Sequence, residues 1–193
     1  DTIAAGDGEV TLGLSDGSRL SARLVVAADG CHSLCRKAAG IGMSERQVSA
    51  LFREEVRKRG LTMGTEDAFE APMVLIPRVG MAHRNPTDAV IEPGDMLVVD
   101  FSVAVDGYVS DIARTFYCLR EGETEAPADV VAMFRASRRA IERAAEALRP
   151  GVKGYEVDAV ARAALREAGF PEMTHALGHQ VGRRPHDGGM ILG

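Results

Sequence analysis

The chain has no excess of positive charge, no long apolar run and no cysteine framework, and each absence removes a class of function. Its 23 Lys and Arg stand against 28 Asp and Glu, a formal charge of −5. No basic stripe is present to displace counterions from phosphates, so a nucleic-acid partner is not expected. The densest basic run, Arg135 to Arg143, is interrupted by Ala and Ile at helical spacing and reads as a solvated helix face. No apolar stretch approaches the about 18 residues that cross a bilayer, so no membrane partner is expected. Asp1 to Val10 show no basic region leading into an apolar one, which excludes a secretory signal there. The cysteines are Cys31, Cys35 and Cys118, an odd number without framework spacing, which implies reduced thiols and a cytoplasmic setting. Cys31 and Cys35 have a metal-like spacing, but no second pair follows them. An initiator Met is also lacking, as expected of a fragment, and there is no internal repeat.

What is present is an ordinary globular composition, 46% hydrophobic and 26% charged, in 193 residues, enough for one or two domains. Glu9–Leu14 and Arg19–Leu24 alternate apolar and polar residues around Ser15-Asp16-Gly17, which predicts a β-hairpin. Leu24–Ala28 is a short apolar strand ending at Asp29-Gly30. The character changes near Gly40–Gly42. Ser44 with Gln47 forms a capping-box pattern for a helix through Val48, Leu51, Phe52, Glu55 and Val56, ended by Gly60. Strands are expected at Met73–Ile76, Met96–Val105 and Tyr108–Leu119, the last two joined by the turn Asp106-Gly107. Two amphipathic helices follow. Ala128–Leu148 carries Val131, Phe134, Ile141, Ala145 and Leu148 as its apolar stripe, and Tyr155–Ala168 carries Val157, Val160, Ala161, Ala164 and Leu165. Met173–Gly193 is rich in His and Gly with little periodicity, the habit of segments that build sites.

Two aspartates, Asp100 and Asp111, lie inside otherwise apolar strands. A carboxylate there needs a strong partner, and a divalent metal is one of few that suffices. A two-residue Asp106-Gly107 loop pairs Val105 with Tyr108, and continuing that register sets Asp111 opposite Ser102. Asp100 lies two residues further along the same strand, so both carboxylates share a face within diagonal reach. A register slip of one residue would send them to opposite faces. Carboxylates that close repel unless a cation lies between them, and two divalent ions about 3.5–4 Å apart would hold them and activate a water. Downstream lie His175, His179 and His186; on these grounds alone His179, flanked by Gly178 and Gly182, is merely the best placed.

At these residues the chain resembles the pita-bread metallopeptidases: methionine aminopeptidase, Xaa-Pro aminopeptidase and prolidase. The resemblance is carried by Gly94-Asp95 leading into Val98-Val99-Asp100-Phe101-Ser102, by Gly107-Tyr108-Val109-Ser110-Asp111-Ile112-Ala113-Arg114-Thr115, and by His175-Ala176-Leu177-Gly178-His179-Gln180-Val181-Gly182. His186-Asp187, Arg149-Pro150-Gly151 and His83 also fall at the family's positions. The resemblance implies an α+β chain with an incomplete pita-bread fold, an antiparallel sheet with flanking helices over residues 43–193, preceded by a β-hairpin segment. It implies that Asp100 chelates one metal, that Asp111 bridges two, and that His179 binds the second. His83 and His186 would flank a peptide substrate as catalytic residues, with His175 a near-site neighbour. Cofactors would be two divalent ions, with Mn, Co, Fe and Zn all compatible. His175 before Leu177-Gly178-His179, and Asp187 after His186, look more like the Xaa-Pro branch, which cleaves an N-terminal residue preceding proline. A homodimer is compatible with the resemblance. The family completes its site with two glutamates beyond the His186 motif, which this chain does not contain. The chain by itself is therefore expected to bind metal weakly and to be inactive. A non-catalytic pita-bread binding module is an alternative reading, against which the retained Asp100, Asp111 and His179 argue.

Residues 1–41 do not belong to that pattern and are expected to be a separate, flavoprotein-like fragment joined near Gly40 to Met43 to the peptidase segment of residues 43–193. Ala28-Asp29-Gly30 followed by Ser33 and Arg36 resembles a segment of flavin-dependent aromatic and ubiquinone-type hydroxylases, in which Asp29 would be a vestigial FAD-binding residue. The glycine-rich FAD fingerprint is missing, so bound FAD is not implied. A flavin monooxygenase fragment is the second enzyme class to weigh.

Overall fold

The helix expected after Ser44 forms for the reason the sequence gives. In the computed structural model α1 runs Glu45–Lys58, Ser44 sits extended at its N-cap, and its Oγ accepts from Gln47 N. Gln47 Oε1 returns the bond by accepting from Ser44 N at 2.8 Å. Gly60, at φ 67°, turns the chain out of the helix. The structure describes residues 40–64, 72–80 and 83–193, together with the backbone of β1 (Thr2–Gly6), β2 (Glu9–Gly13) and β3 (Arg19–Ala22). The last three form an antiparallel sheet in the order β1-β2-β3, so the predicted hairpin is present as β2 and β3, and β1 extends it. The strand expected at Leu24–Ala28, Asp29, Cys31 and Cys35 lie outside the described residues.

Six further strands make two antiparallel sheets. They are β4 (Thr62–Met63), β5 (Met73–Leu75), β6 (Met96–Phe101), β7 (Val103–Val105), β8 (Tyr108–Val109) and β9 (Ile112–Tyr117). The orders are β4-β7-β8 and β5-β6-β9. Asp106 and Gly107, at φ 51° and 78°, supply the two left-handed residues of a tight hairpin turn. The predicted register holds on both sides of it: Val105 faces Tyr108, Phe101 faces Ile112 and Asp100 faces Ala113.

Each long strand expected there is broken in two, at Ser102 and at Ser110-Asp111. The break has a local cause. Ser110 Oγ, rather than a carbonyl, accepts from Val103 N at 3.0 Å, while Ser110 N donates to Val103 O at 2.9 Å. On the other edge the Ser102 carbonyl is taken by Gly64 N at 2.8 Å. Gly64 can approach because it lacks a Cβ; one there would lie 2.9 Å from Val109 Cγ1. The strand thus changes partner at Ser102, from β5 on one side of the break to β4 on the other.

The main core lies between α1 and β6. Leu97, Val99 and Phe101 alternate inward against Val48 and Val56, with Phe52 and Phe101 rings 5.2 Å apart. Met96, Val98 and Asp100 occupy the other face of β6 and are half-buried.

The second core joins α2 (Ala128–Ala147) to α3 (Gly154–Glu167). The stripe expected to bury on α2 is not its packed face. Phe134, Ile141 and Leu148 are 58%, 61% and 53% exposed, whereas Ala136, Ala140 and Ala144 are buried, the last two against Val157, Ala161 and Ala164 of α3. Small residues let the two helices approach closely, so the alanine row wins over the row of larger side chains. On α3 Val157, Ala161 and Ala164 bury as the periodicity predicts. Among the described residues no helix is long and apolar enough to cross a membrane.

Candidate metal centre

Asp100 is held between two strands, opposite Met73 of β5 and Ala113 of β9. Its carboxylate is half-buried, and among the described residues no hydrogen bond or ion pair reaches it. Burial pushes its pKa above the usual aspartate range, and the negative charge of Asp111 pushes the same way. His83, His179 and His186 pull it back, so all five groups share one electrostatic environment.

Asp111 lies at the break before β9, one step from the register pair Phe101 and Ile112. His179 reaches it, with Nε2 3.3 Å from Asp111 Oδ2. The other ring nitrogen of His179, Nδ1, is 3.2 Å from the Gln180 carbonyl. The Gln180 carbonyl and the Asp111 carboxylate both only accept, so a single ring hydrogen can serve one of the two contacts and not both. With the hydrogen on Nδ1, Nε2 and Asp111 Oδ2 present two lone pairs to one another, the arrangement a shared cation would satisfy. The His186 ring stacks on His179 with centroids 3.9 Å apart.

Elements on both sides position these groups. The irregular segment carrying His179 adds to the edge of the hairpin, where Val109 N donates to Gly182 O at 2.9 Å and the Arg183 guanidinium lies 5.5 Å from the Tyr108 ring centre. Asp187 folds back to accept from Arg183 N at 2.8 Å. A bridge between Gly178 and Leu192 closes the segment on itself. His83 is exposed and immediately precedes Arg84, which is fixed by a fully buried carboxylate. Glu45 accepts two bonds from the Arg84 fork, one from Ile76 N and two from Thr87, each at 2.7 Å. Burial alone would raise its pKa, but these donors bring it down to about 2.

The expected residues therefore fall into three sets. Asp111, His179 and His186 are in contact, and Asp100 and His83 share their field. His175 is exposed, with Nδ1 2.8 Å from the Ala176 carbonyl and so turned to its own backbone. Asp29 lies outside the described residues. Among the described residues no group of three or more His, Cys, Asp or Glu side chains stands close enough to hold a metal ion. The donor chemistry of Asp100, Asp111 and His179, two hard carboxylates and an imidazole, suits a divalent cation all the same. Glu45 and Arg84, which anchor the loop beside His83, and Ser110, which breaks the strand before Asp111, were not singled out from sequence, nor was the buried Asp158 of α3. The signal for Asp158 was an acid set beside Val157 in the buried stripe of α3.

Helices flanking antiparallel strands, with acids and imidazoles on the face away from the helix core, define an incomplete pita-bread fold of the metallopeptidase class. The chain belongs to metallopeptidase family M24, whose model matches residues 19–193. It is 30% identical over 147 residues to an Xaa-Pro dipeptidase of Pyrococcus furiosus, covering 76% of this chain and 40% of that protein. An X-Pro aminopeptidase structure from Thermotoga maritima superposes with a TM-score of 0.68 at 28% identity, over 81% of this chain and 42% of the other. A prolidase structure from Pyrococcus furiosus gives 0.67 at 26% identity, over 81% and 44%. The chain thus spans about 40% of the length of the relatives it matches. The flavin-hydroxylase resemblance of residues 1–41 finds no support in these matches, since the peptidase family match already begins at residue 19.

Proposed function

We propose that this chain supplies part of the active centre of a divalent-metal peptidase acting on the N-terminal bond of peptides in which proline follows the first residue. The observation that carries the reading is a convergence of acceptors: the Asp100 carboxylate, which meets no hydrogen-bond donor among the described residues, and the 3.3 Å contact between Asp111 Oδ2 and His179 Nε2. In this reading Asp100, Asp111 and His179 would hold the divalent ions. Bound divalent ions supply positive charge for both carboxylates and Lewis-acid activation of the attacking water. His83 and His186 flank the peptide and donate hydrogen bonds to its carbonyl as charge builds there. The Xaa-Pro preference rests on the relatives, which are Xaa-Pro dipeptidases and prolidases. These three donors are an open set, so the chain alone binds metal weakly and turns over little or no substrate.

The test is Mn²⁺ titration of the chain and of Asp111→Asn, followed by assay on an Xaa-Pro dipeptide and on a dipeptide without proline. The reading expects Mn²⁺ uptake that the substitution abolishes, with any turnover confined to the proline substrate. Unchanged uptake in Asp111→Asn contradicts it. That no three donors among the described residues surround one point favours a second reading, a pita-bread module that binds a peptide without cleaving it. Peptide binding indifferent to Mn²⁺ and to Asp111→Asn would favour that one.

A further inference from the structure

His179 sits in a segment with no ladder of its own. Between the end of α3 and Gly193 the chain has neither helix nor strand, only the bridge at Gly178 and Leu192. Irregular backbone is held in place only where its carbonyls and amides find partners. Two of those partners come from α3. Arg162 and Asp158 are one helical turn apart and form an ion pair through Arg162 Nε and Asp158 Oδ2, with Arg162 Nη2 3.3 Å from Asp158 Oδ1. Asp158 is buried. The outer edge of the same guanidinium is spent on the segment. Nη1 donates to the Met173 carbonyl at 2.5 Å and Nη2 to the His175 carbonyl at 2.9 Å. Asp158 Oδ1 also accepts from Leu177 N at 3.1 Å. Three backbone groups at 173, 175 and 177 are thereby tied to one rigid helix, ending two residues before His179.

We propose that Asp158 and Arg162 are a positioning pair, which fixes the approach of the 173–177 backbone and through it holds the His179 ring against Asp111. The inference rests on the metal-centre reading for its functional meaning and on the hydrogen bonds alone for its geometry. The planar fork of Arg162 is essential to it. One guanidinium reaches a carboxylate and two carbonyls at once because its donors diverge in one plane, and a lysine ammonium at the end of a flexible stem cannot do so. Asp158→Asn keeps an acceptor for Leu177 N while losing the charge, so it is expected to be the milder change.

The experiment compares the chain with Arg162→Lys, Asp158→Asn and a control, Ser49→Ala. The control removes the buried hydrogen bond that Ser49 of α1 donates to the Pro72 carbonyl, away from this segment. Amide hydrogen exchange over residues 175–180 is measured without metal, and Mn²⁺ affinity is measured by titration. Arg162→Lys is expected to speed exchange there by about tenfold, the scale of one lost charge-assisted hydrogen bond. It is also expected to weaken Mn²⁺ binding by about 10–100-fold, as loss of a group that orients a ligand does. Ser49→Ala should change neither, and Asp158→Asn should fall between. Wild-type exchange over 175–180 in Arg162→Lys overturns the proposal. So does faster exchange with unchanged Mn²⁺ affinity, which would make the pair a fold staple only. If the unsubstituted chain takes up no Mn²⁺, the metal reading fails by itself, and the exchange comparison decides whether the pair positions the segment.

Discussion

Glu45 and Asp100 are two carboxylates on opposite sides of the same sheet, one on the side of α1 and one on the far face of β6, and they differ in what meets them. Glu45 is fully buried and meets five donors, which hold its pKa at about 2. Asp100 is half-buried and meets no donor among the described residues, so burial raises its pKa, and the charge of Asp111 adds to the rise. A buried charge that is completely satisfied fixes a fold; one left short of partners marks a place where something else is to bind.

Breaking the satisfied carboxylate should have the largest effect. Glu45→Ala strands the Arg84 guanidinium and the Ile76 and Thr87 amides together, and is expected to cost about 3–5 kcal/mol in a denaturant titration. A loss under 1 kcal/mol would show that solvent replaces those bonds. The alanine interface of α2 and α3 comes next. Ala140→Leu is expected to cost about 1–3 kcal/mol by overpacking, while Ile141→Gln, one residue on but 61% exposed, should stay within about 0.5 kcal/mol. Asp100→Asn should act in the opposite sense to Glu45→Ala. It relieves burial and repulsion from Asp111 and is expected to stabilise the metal-free chain by about 1 kcal/mol.

The two carboxylates also respond to pH with opposite sign. The folded pKa of Glu45 lies below its unfolded value, so its contribution is complete above the ordinary glutamate range and is lost as pH falls from there through about 2. The folded pKa of Asp100 lies above its unfolded value, so stability is lost as pH rises through the interval between them and returns on acidification. Thermal melts from pH 2 to 7 should therefore show Asp100→Asn flattening the decline on the side of rising pH, and Glu45→Gln flattening the one on the acid side. Ser110→Ala is expected to cost about 1 kcal/mol, because the bond it removes from the Val103 amide is only partly buried.

Local rules carried much of this structure in the open sequence. The Ser44 and Gln47 cap, the Asp106-Gly107 turn and the register that puts Asp100 near Asp111 all follow from interactions within a few residues. What was not legible depended on distant partners. The strand break at Ser102 needs Gly64, the orientation of α2 needs the alanine row to meet α3, and the role of Glu45 needs Arg84 and Thr87. An apolar stripe on a helix shows that a face can be buried, not which neighbour will bury it. The motif residues Asp111, His179 and His186 do come into contact, but nothing in their spacing foretold that His179 would direct Nδ1 to the Gln180 carbonyl.

The most direct test of the unsatisfied-carboxylate claim is a thermal melt of the chain and of Asp100→Asn, each with and without Mn²⁺. The substituted chain is expected to melt higher than the original without metal, and only the original is expected to gain stability from Mn²⁺. A lower metal-free melting temperature in Asp100→Asn, or an equal gain from Mn²⁺ in both chains, would contradict it.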